Sequence, residues 1–420
     1  MSIRLVVFGL ISLRGTEYVL RLFSSCFKGG MPCHVVIQNW VLRFGLYKLK
    51  QAPEKRRDWV YILDHTIEFG TKKCLVVLGI PLSRFRELEC KIQHCDMEVL
   101  GISIVEQATA VSVTEVLREI SLLTGIPIQI LSDQGSNIKK GISDFITERE
   151  AFYTIRQTYD VTHRAALILK KYLKDDVIWK SFVDAACKTK RSLVHTALAY
   201  LAPPKPRDKA RWLNLGAYVH WAEKISCLNA GDFKKEDREK YKDTLKWIKQ
   251  FKAHIPEWRT ILDMLDALKK EVKSNGFNVD TKVHFEKNIS ELKLNNPSLL
   301  LIKSEIIEYI EDQCLGIDGI YPGCSDIIES VLGKYKTFSG KSPMKEVGKA
   351  VLTMPVFTSS VNFREVKEAM ESVSAKDLKQ WLDKNLGESL FSRRKQAFTL
   401  KRTKSSVKIF PEKVKKVVGF

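Results

Sequence analysis

The stretch that decides the fold is Trp59-Val-Tyr-Ile-Leu-Asp-His-Thr-Ile-Glu-Phe-Gly-Thr-Lys-Lys-Cys-Leu-Val-Val-Leu-Gly-Ile80. Trp59 to Leu63 and Lys73 to Ile80 are apolar runs of strand-forming residues, and the polar segment between them contains Gly70. This pattern is typical of a β-hairpin. The first run ends in Asp64, although a buried strand has no need of an acid there. Either the strand ends at Asp64 or the acid serves a purpose other than packing.

The same arrangement recurs downstream in Ile126-Pro-Ile-Gln-Ile-Leu-Ser-Asp133, a short apolar strand that again ends in an acid. Two strands that each carry an Asp at the tip can bring both carboxylates to one edge of a sheet. Close carboxylates repel one another and are stabilised by a hard divalent cation such as Mg²⁺. The pattern thus predicts a metal site that contains Asp64 and Asp133.

The segments around these strands predict an α/β domain. The expected elements are a strand at Glu98–Val105, a helix at Val113–Leu123, a helix at Asn137–Thr147, a strand at Tyr153–Thr158 and a helix after Asp160. Three strands followed by alternating helices and strands give the order of an RNase H-like fold, with a mixed five-stranded sheet and flanking helices.

Residues 1–50 predict three short helices, the third opened by Pro32, which is a helix-turn-helix pattern with a long turn. On the third helix the outward candidates for a DNA groove are His34, Gln38, Asn39 and Arg43. An ordinary three-helix bundle would give the same pattern. A linker at 51–57 would follow.

The remaining boundaries follow from changes in pattern. Residues 58–174 would form the first part of the RNase H-like core, and 175–320 are long, charged and helical, as expected of an all-helical insertion. Residues 321–390 would complete the core and add C-terminal helices, and 391–420 form a basic tail. In the returning segment, a helix after Ser325 would carry Glu329 back to the sheet.

Glu329 is thus the third acid of the predicted site. Asp133 follows Asp64 by 69 residues, and Glu329 follows Asp133 by 196 residues. About three carboxylates can hold two Mg²⁺ ions roughly 3.5–4 Å apart, which suffices for phosphodiester cleavage and strand transfer. Taken singly, each acid has an alternative interpretation as a solvated loop carboxylate.

The charge is concentrated at the two ends of the 420-residue chain. Of the net +20, residues 1–57 carry +8 and residues 393–420 carry +9. Basic ends on a near-neutral middle favour a polyanionic partner, most simply double-stranded DNA. A solvated basic tail with no specific partner is the alternative for the C-terminal end.

The other compositional features exclude several classes. The nine cysteines contain no Cys-x-x-Cys pair, which disfavours a zinc ribbon, and their odd number disfavours a disulfide framework and favours a reducing cytosol. No apolar run reaches the roughly 20 residues of a membrane span, so we expect no membrane partner.

Four short motifs resemble those of a DDE transposase of the bacterial insertion-sequence type. The motifs are Asp64-His-Thr-Ile-Glu with the residues that follow it to Leu75, Leu131-Ser-Asp-Gln-Gly, Asp160-Val-Thr-His and Glu329-Ser-Val-Leu-Gly-Lys-Tyr-Lys. Asp160-x-x-His163 is similar to the Cys/Asp-x-x-His signature of several transposase superfamilies, including hAT-like ones, which also interrupt the RNase H-like fold with a helical insertion. The resemblance runs through nearly the whole chain.

This resemblance implies a DNA recombinase that binds terminal inverted repeats, cleaves to free a 3′-hydroxyl and joins it to target DNA. It implies that Asp64, Asp133 and Glu329 hold two Mg²⁺ ions, for which Mn²⁺ would substitute. His163 would lie at the catalytic site and position DNA, unless it is a core histidine. It further implies a homodimer on DNA in the bacterial cytoplasm, associated with the nucleoid.

Other residues are expected to contact DNA. Lys334 and Lys336 follow Glu329 and point toward a phosphate, unless they form a solvated helix end. Trp221, with Trp212 and Trp258 as further candidates, would stack on a flipped base, unless these rings are core.

The sequence departs from the family in one respect, because it lacks the Tyr-x-x-Arg-x-x-x-Glu-x-x-x-x-x-x-Lys pattern of one large insertion-sequence group. Glu329 is therefore chosen by context, with Glu311 and Asp326 as fallback ligands. Two other functions stay open: a non-catalytic DNA-binding protein derived from a transposase, and another RNase H-like nuclease such as a resolvase.

Overall fold

The computed structural model describes residues 1–26, 30–67, 69–133, 135–205, 215–340 and 344–400. Its strands are β1 (Trp59–Ile67), β2 (Lys73–Pro81), β3 (Glu98–Val105), β4 (Gln129–Ser132) and β5 (Arg156–Tyr159). They form one mixed sheet in the order β3-β2-β1-β4-β5. β1, β2 and β3 are antiparallel neighbours, whereas β4 is parallel to both β1 and β5. The prediction of a mixed five-stranded sheet with flanking helices is therefore confirmed.

The helices fall into four groups along the chain. They are α1 (Ser2–Val7), α2 (Leu13–Leu22) and α3 (His34–Lys50); α4 (Leu82–Glu87), α5 (Ala110–Thr124), α6 (Ser136–Thr147) and α7 (Val161–Leu173); α8 (Val177–Leu193), α9 (Leu215–Ser226), α10 (Lys235–Leu245), α11 (His254–Asn275), α12 (Thr281–Asn288) and α13 (Pro297–Cys314); and α14 (Asp326–Ser339), α15 (Met354–Phe357), α16 (Phe363–Ser372), α17 (Ala375–Asn385) and α18 (Leu390–Leu400).

The alternation of side chains along β1 divides the core into two layers. Tyr61 and Leu63 pack with apolar residues of α5 and α6. Val60 and Ile62 belong to the larger apolar cluster on the other face, to which α7 and α14 contribute. Asp64 follows the same alternation as Val60 and Ile62, so it lies on the face that α7 and α14 cover.

The N-terminal helices pack on the C-terminal part of the chain. α3 lies against α15, α16 and α17, as well as against α2. A Cβ at Gly45 would stand 1.7 Å from the carbonyl oxygen of Leu352, so α3 approaches this segment as closely as its backbone allows. The helix is therefore covered on two sides, and the separate 1–50 DNA-binding domain with a helix-turn-helix remains a prediction.

The segment from α8 to α13 is helical, with a core of aromatic rings that includes Trp179, Phe182 and Trp258. Its buried residues belong to the same apolar cluster as one face of the sheet. Its division from the sheet as an inserted domain, like the other domain boundaries, remains a prediction.

Several predicted boundaries shift. β1 runs to Ile67, because its hairpin with β2 continues past Asp64 as far as the Ile67–Lys73 pair. β5 begins at Arg156 instead of Tyr153. The described cysteines, apart from Cys26, whose side chain is not described, are all free thiols. Within the described ranges no helix is both long and apolar enough to cross a membrane.

Candidate active site

Asp64 lies on β1 and Asp133 directly follows β4, and each comes directly after the last residue pair between these two parallel strands. The β1–β4 register ends at Leu63 opposite Ser132, and neighbouring strands are about 4.8 Å apart. The expectation that Asp64 ends its strand is wrong, because Asp64 is still paired with Val76 of β2. What ends there is the pairing with β4, and the two acids occupy the point where these strands part.

The carboxylate of Asp64 is poorly compensated. Its pKa is raised to about 6, first by burial, then by the charge of Asp133 and, to a smaller extent, by the charge of Glu329. Opposing these effects are the backbone N–H of His65, which donates to Asp64 Oδ1 at 2.6 Å, and the charge of His163. Residues that are far apart in sequence therefore share one electrostatic environment.

Asp160 is a buried carboxylate that joins α7 to the start of α14. Its Oδ1 accepts the backbone N–H of His163 at 2.7 Å and lies 3.0 Å from His163 Nδ1. Its Oδ2 accepts both the N–H and the hydroxyl of Ser325, at 2.6 and 2.9 Å. Burial raises the pKa of Asp160, but these donors outweigh burial and hold the pKa below its usual value. One side chain thus caps α7 and fixes the residue that precedes α14.

The chain reaches Ser325 along the outer edge of the sheet. The backbone carbonyl of Tyr159 in β5 accepts a hydrogen bond from the Tyr309 hydroxyl at 2.6 Å, and the backbone N–H of Tyr159 donates to the side chain of Gln313 at 2.9 Å. The N–H of Val161 then donates to the carbonyl of Gly323 at 3.0 Å. These bonds satisfy an edge strand that would otherwise be unpaired, and they direct α14 toward β1.

Glu329 lies one turn into α14 and faces His163, with Oε1 3.7 Å from His163 Nδ1. The hydrogen bond with Asp160 raises the pKa of His163 to about 9, and the charges of Glu329 and Asp133 act in the same direction although burial opposes them. Burial raises the pKa of Glu329, and the charge of His163 lowers it in part. The structure therefore brings together Asp64, Asp133, His163 and Glu329.

The acids do not form a ready-made metal cage. Within the described ranges, no three His, Cys, Asp or Glu side chains are close enough to hold a metal ion. The fallback ligands are engaged elsewhere: Asp326 pairs with Lys273 at 2.5 Å, and Glu311 pairs with Lys282 at 2.6 Å on the helical segment. Carboxylate oxygens are the ligands that Mg²⁺ prefers, so the donor set of Asp64, Asp133 and Glu329 fits this ion in chemistry.

The residues predicted to read a DNA groove on α3 mostly make contacts within the chain. His34 Nδ1 lies 2.8 Å from Glu17 Oε2, and Gln38 accepts a hydrogen bond from Lys349 at 2.7 Å. Arg43 does not point outward, because its guanidinium donates to the carbonyls of Val373 and Met370, both at 2.6 Å. Asn39 is half-buried. The physical reason is that α3 is covered by the C-terminal helices.

The other predicted DNA contacts have different surroundings. Lys336 is exposed, whereas Lys334 is half-buried beside His94. Trp221 is partly buried, with its indole N–H donating to the carbonyl of Leu201 at 2.9 Å. Trp258 is buried in the aromatic core and cannot stack on a base, whereas Trp212 lies outside the described residues.

The partnership of Asp160 with Ser325 was not predicted from the sequence. Asp160 belongs to the Asp160-Val-Thr-His motif and Ser325 precedes the predicted helix, but nothing in the sequence connects two residues 165 positions apart. The available signal was the acid three residues before His163 at a helix start, which is typical of an N-cap.

No protein-family model and no curated protein sequence matches this chain. Among solved structures, the Drosophila P element transposase strand transfer complex is similar over 87% of this chain and 91% of that chain, with 11% sequence identity and a TM-score of 0.39. So distant a likeness assigns no family, and membership of the bacterial insertion-sequence type remains a prediction.

Proposed function

We propose that this protein is a divalent-metal-dependent transposase with an RNase H-like core, which cleaves DNA strands and joins the freed 3′-hydroxyl to target DNA. The observation that supports the proposal is that Asp64 on β1, Asp133 after β4 and Glu329 on α14 lie close enough for the charges of Asp133 and Glu329 to raise the pKa of Asp64. Glu329 also lies beside His163. The strand order and the change from antiparallel to parallel pairing at β1 support the RNase H-like assignment.

The proposed ligands of two Mg²⁺ ions are Asp64, Asp133 and Glu329. The raised pKa of Asp64 reflects burial and the neighbouring charge of Asp133, and buried acids that repel one another are typical of functional sites. When bound there, divalent cations would activate the attacking hydroxyl and stabilise the leaving oxygen.

The chain's own residues would set the geometry of this site. Asp160 holds His163 and, through Ser325, the first turn of α14. Glu329, one turn into α14, is consequently held beside His163 by a residue that belongs to neither β1 nor β4. We assign His163 to the positioning of Glu329 and of the scissile phosphate.

The proposed partner is double-stranded DNA, namely terminal inverted repeats and a target, bound by two copies of the chain. The excess of positive charge at the two ends of the sequence supports this partner. Lys336, exposed on the last turn of α14, is the proposed phosphate contact on that helix.

One observation favours a second candidate, a DNA-binding protein that derives from a transposase and no longer cleaves. No three metal-binding side chains in the described ranges already stand at ligand distance. An inactive descendant could retain the fold and the net positive charge although Asp64, Asp133 and Glu329 no longer lie close enough together to bind a metal ion.

The experiment that separates the two candidates measures Mn²⁺ binding and DNA cleavage with the full chain. The cleavage substrate is a supercoiled plasmid that carries the DNA flanking the coding gene. We expect calorimetry to detect Mn²⁺ binding, and we expect nicking that Asp64→Asn reduces by about 100-fold or more, since one ligand of the metal site is lost.

The matched control is Asp184→Asn, the same substitution at an exposed residue of α8. It should leave both Mn²⁺ binding and nicking unchanged. If the wild-type chain binds the plasmid but neither binds Mn²⁺ nor nicks DNA, the transposase proposal fails and the non-catalytic function is favoured.

A further inference from the structure

A second site lies beside α14, in a cavity of about 810 Å³. Its walls come from residues 90–95, the end of α11, the start of α14 and the segment after α15. α14 contributes Asp326, Ser330 and Lys334, which are four residues apart and so form one stripe of the helix. Glu329 is not part of this wall. The volume falls within the range of roughly 300–1,000 Å³ that is typical of small-molecule sites.

The cavity contains a cation without an acidic partner. Among the described residues, no carboxylate lies within ion-pair distance of Lys334 Nζ, whereas the other lysine of the wall, Lys273, pairs with Asp326 at 2.5 Å. Lys334 is half-buried, and burial lowers its pKa. A partly desolvated ammonium group without a counter-ion is costly, so a negatively charged ligand would stabilise it.

The neighbours of Lys334 orient its ammonium group without neutralising it. Lys334 Nζ lies 3.4 Å from His94 Nδ1, and His94 Nε2 lies 3.0 Å from the hydroxyl of Ser330. Burial lowers the pKa of His94, and the charge of Lys334 lowers it further. A neutral imidazole can accept a hydrogen bond from Lys334 at Nδ1 and donate one to Ser330 from Nε2, so the positive charge stays on Lys334.

The rest of the wall is largely apolar. Phe85, Ile92 and Ile327 line it, and Lys334 Nζ lies 5.8 Å from the centre of the Phe357 ring. The charge therefore lies beside a surface that suits a hydrophobic or aromatic group.

We propose that this cavity binds a small molecule that consists of a ring-sized apolar body and one anionic group, a carboxylate or a phosphate, which contacts Lys334. The proposal does not depend on DNA cleavage, because none of the acids assigned to the metal site lines the cavity.

The test uses three probes that share one body: 1-naphthyl phosphate, 1-naphthoate and 1-naphthol. Calorimetry on the full chain should show that at least one anionic probe binds ten times or more as tightly as 1-naphthol. The comparison of phosphate with carboxylate identifies which anion the cavity prefers. Equal affinities for all three probes, or no binding of any, would overturn the proposal without the need for a variant.

Two matched variants assign the anion contact. Lys334→Met should abolish the preference for the anionic probe while 1-naphthol binding stays the same. Lys91→Met is the control, because Lys91 belongs to the same wall segment but is exposed, pairs with Glu89 and does not line the cavity. A preference that survives Lys334→Met in a protein with an unchanged melting temperature would refute the assignment.

Discussion

The carboxylates of Asp160 and Asp64, both near the sheet, have surroundings that shift their pKa values in opposite directions. Asp160 is 1% exposed, yet it accepts hydrogen bonds from Ser325 and His163, and its pKa is held below the usual value. Asp64 accepts a hydrogen bond from the backbone N–H of His65, but burial together with the charge of Asp133 raises its pKa to about 6. The first carboxylate stabilises the fold, whereas the second costs stability. Proteins tolerate the second kind mainly where function requires it.

The comparison predicts different effects of the same substitution. In the absence of divalent cations, Asp160→Asn should lower the free energy of unfolding by about 3–5 kcal/mol, because the charge is lost and an amide nitrogen, which cannot accept, replaces one of the two oxygens that accept hydrogen bonds. Asp64→Asn should cause no loss and should add about 1–2 kcal/mol, since an unpaired charge is removed. Urea unfolding at pH 7 measures both values. Equal losses for the two variants would refute the distinction.

The stabilisation by Asp160 should also depend on pH in a defined direction. Its folded-state pKa is lower than the ordinary value of 3.8, which applies to the unfolded chain. The stabilisation is therefore complete above pH 3.8 and is lost as the pH falls through the folded-state pKa. The difference in unfolding free energy between the wild type and Asp160→Asn should narrow as the pH falls below about 4. Urea titrations at several pH values would show this, and a difference that widens in acid would contradict it.

The sequence predicts the hairpin of β1 and β2 well because both strands contain long apolar runs, whereas the start of the polar β5 is predicted less well. It also predicts the meeting of Asp64 with Asp133, since each acid directly follows residues that pair in parallel strands. Both predictions depend on local pattern and on the geometry of adjacent strands.

The surroundings of α3 could not be predicted in the same way. Its basic residues suggested a DNA-reading face, but Arg43 binds backbone carbonyls of Met370 and Val373, more than 300 residues away. A carbonyl group carries no residue-specific signal, so no sequence pattern announces such a partner. The role of Ser325 is hidden for the same reason, because half of its contact with Asp160 is made by its backbone N–H.

A smaller loss than that of Asp160→Asn should come from Ser325→Ala, which removes the hydroxyl donor to Asp160 and leaves the backbone N–H in place. We expect a loss of about 1.5 kcal/mol, as for one hydrogen bond to a charged group. Ser372→Ala is the control, because the hydroxyl of Ser372 bonds the Glu368 carbonyl on an exposed helix, and its loss should stay within about 0.5 kcal/mol.

The decisive measurement is Ser325→Ala in the Asp160→Asn background. If Ser325 stabilises the protein through Asp160, the hydroxyl has no charge left to bind in that background, and its removal should cost much less than in the wild type. Additive losses would mean that the hydroxyl and the carboxylate stabilise the protein independently. Asp160 would then cap α7 without fixing the start of α14, and the position of Glu329 would need a different explanation.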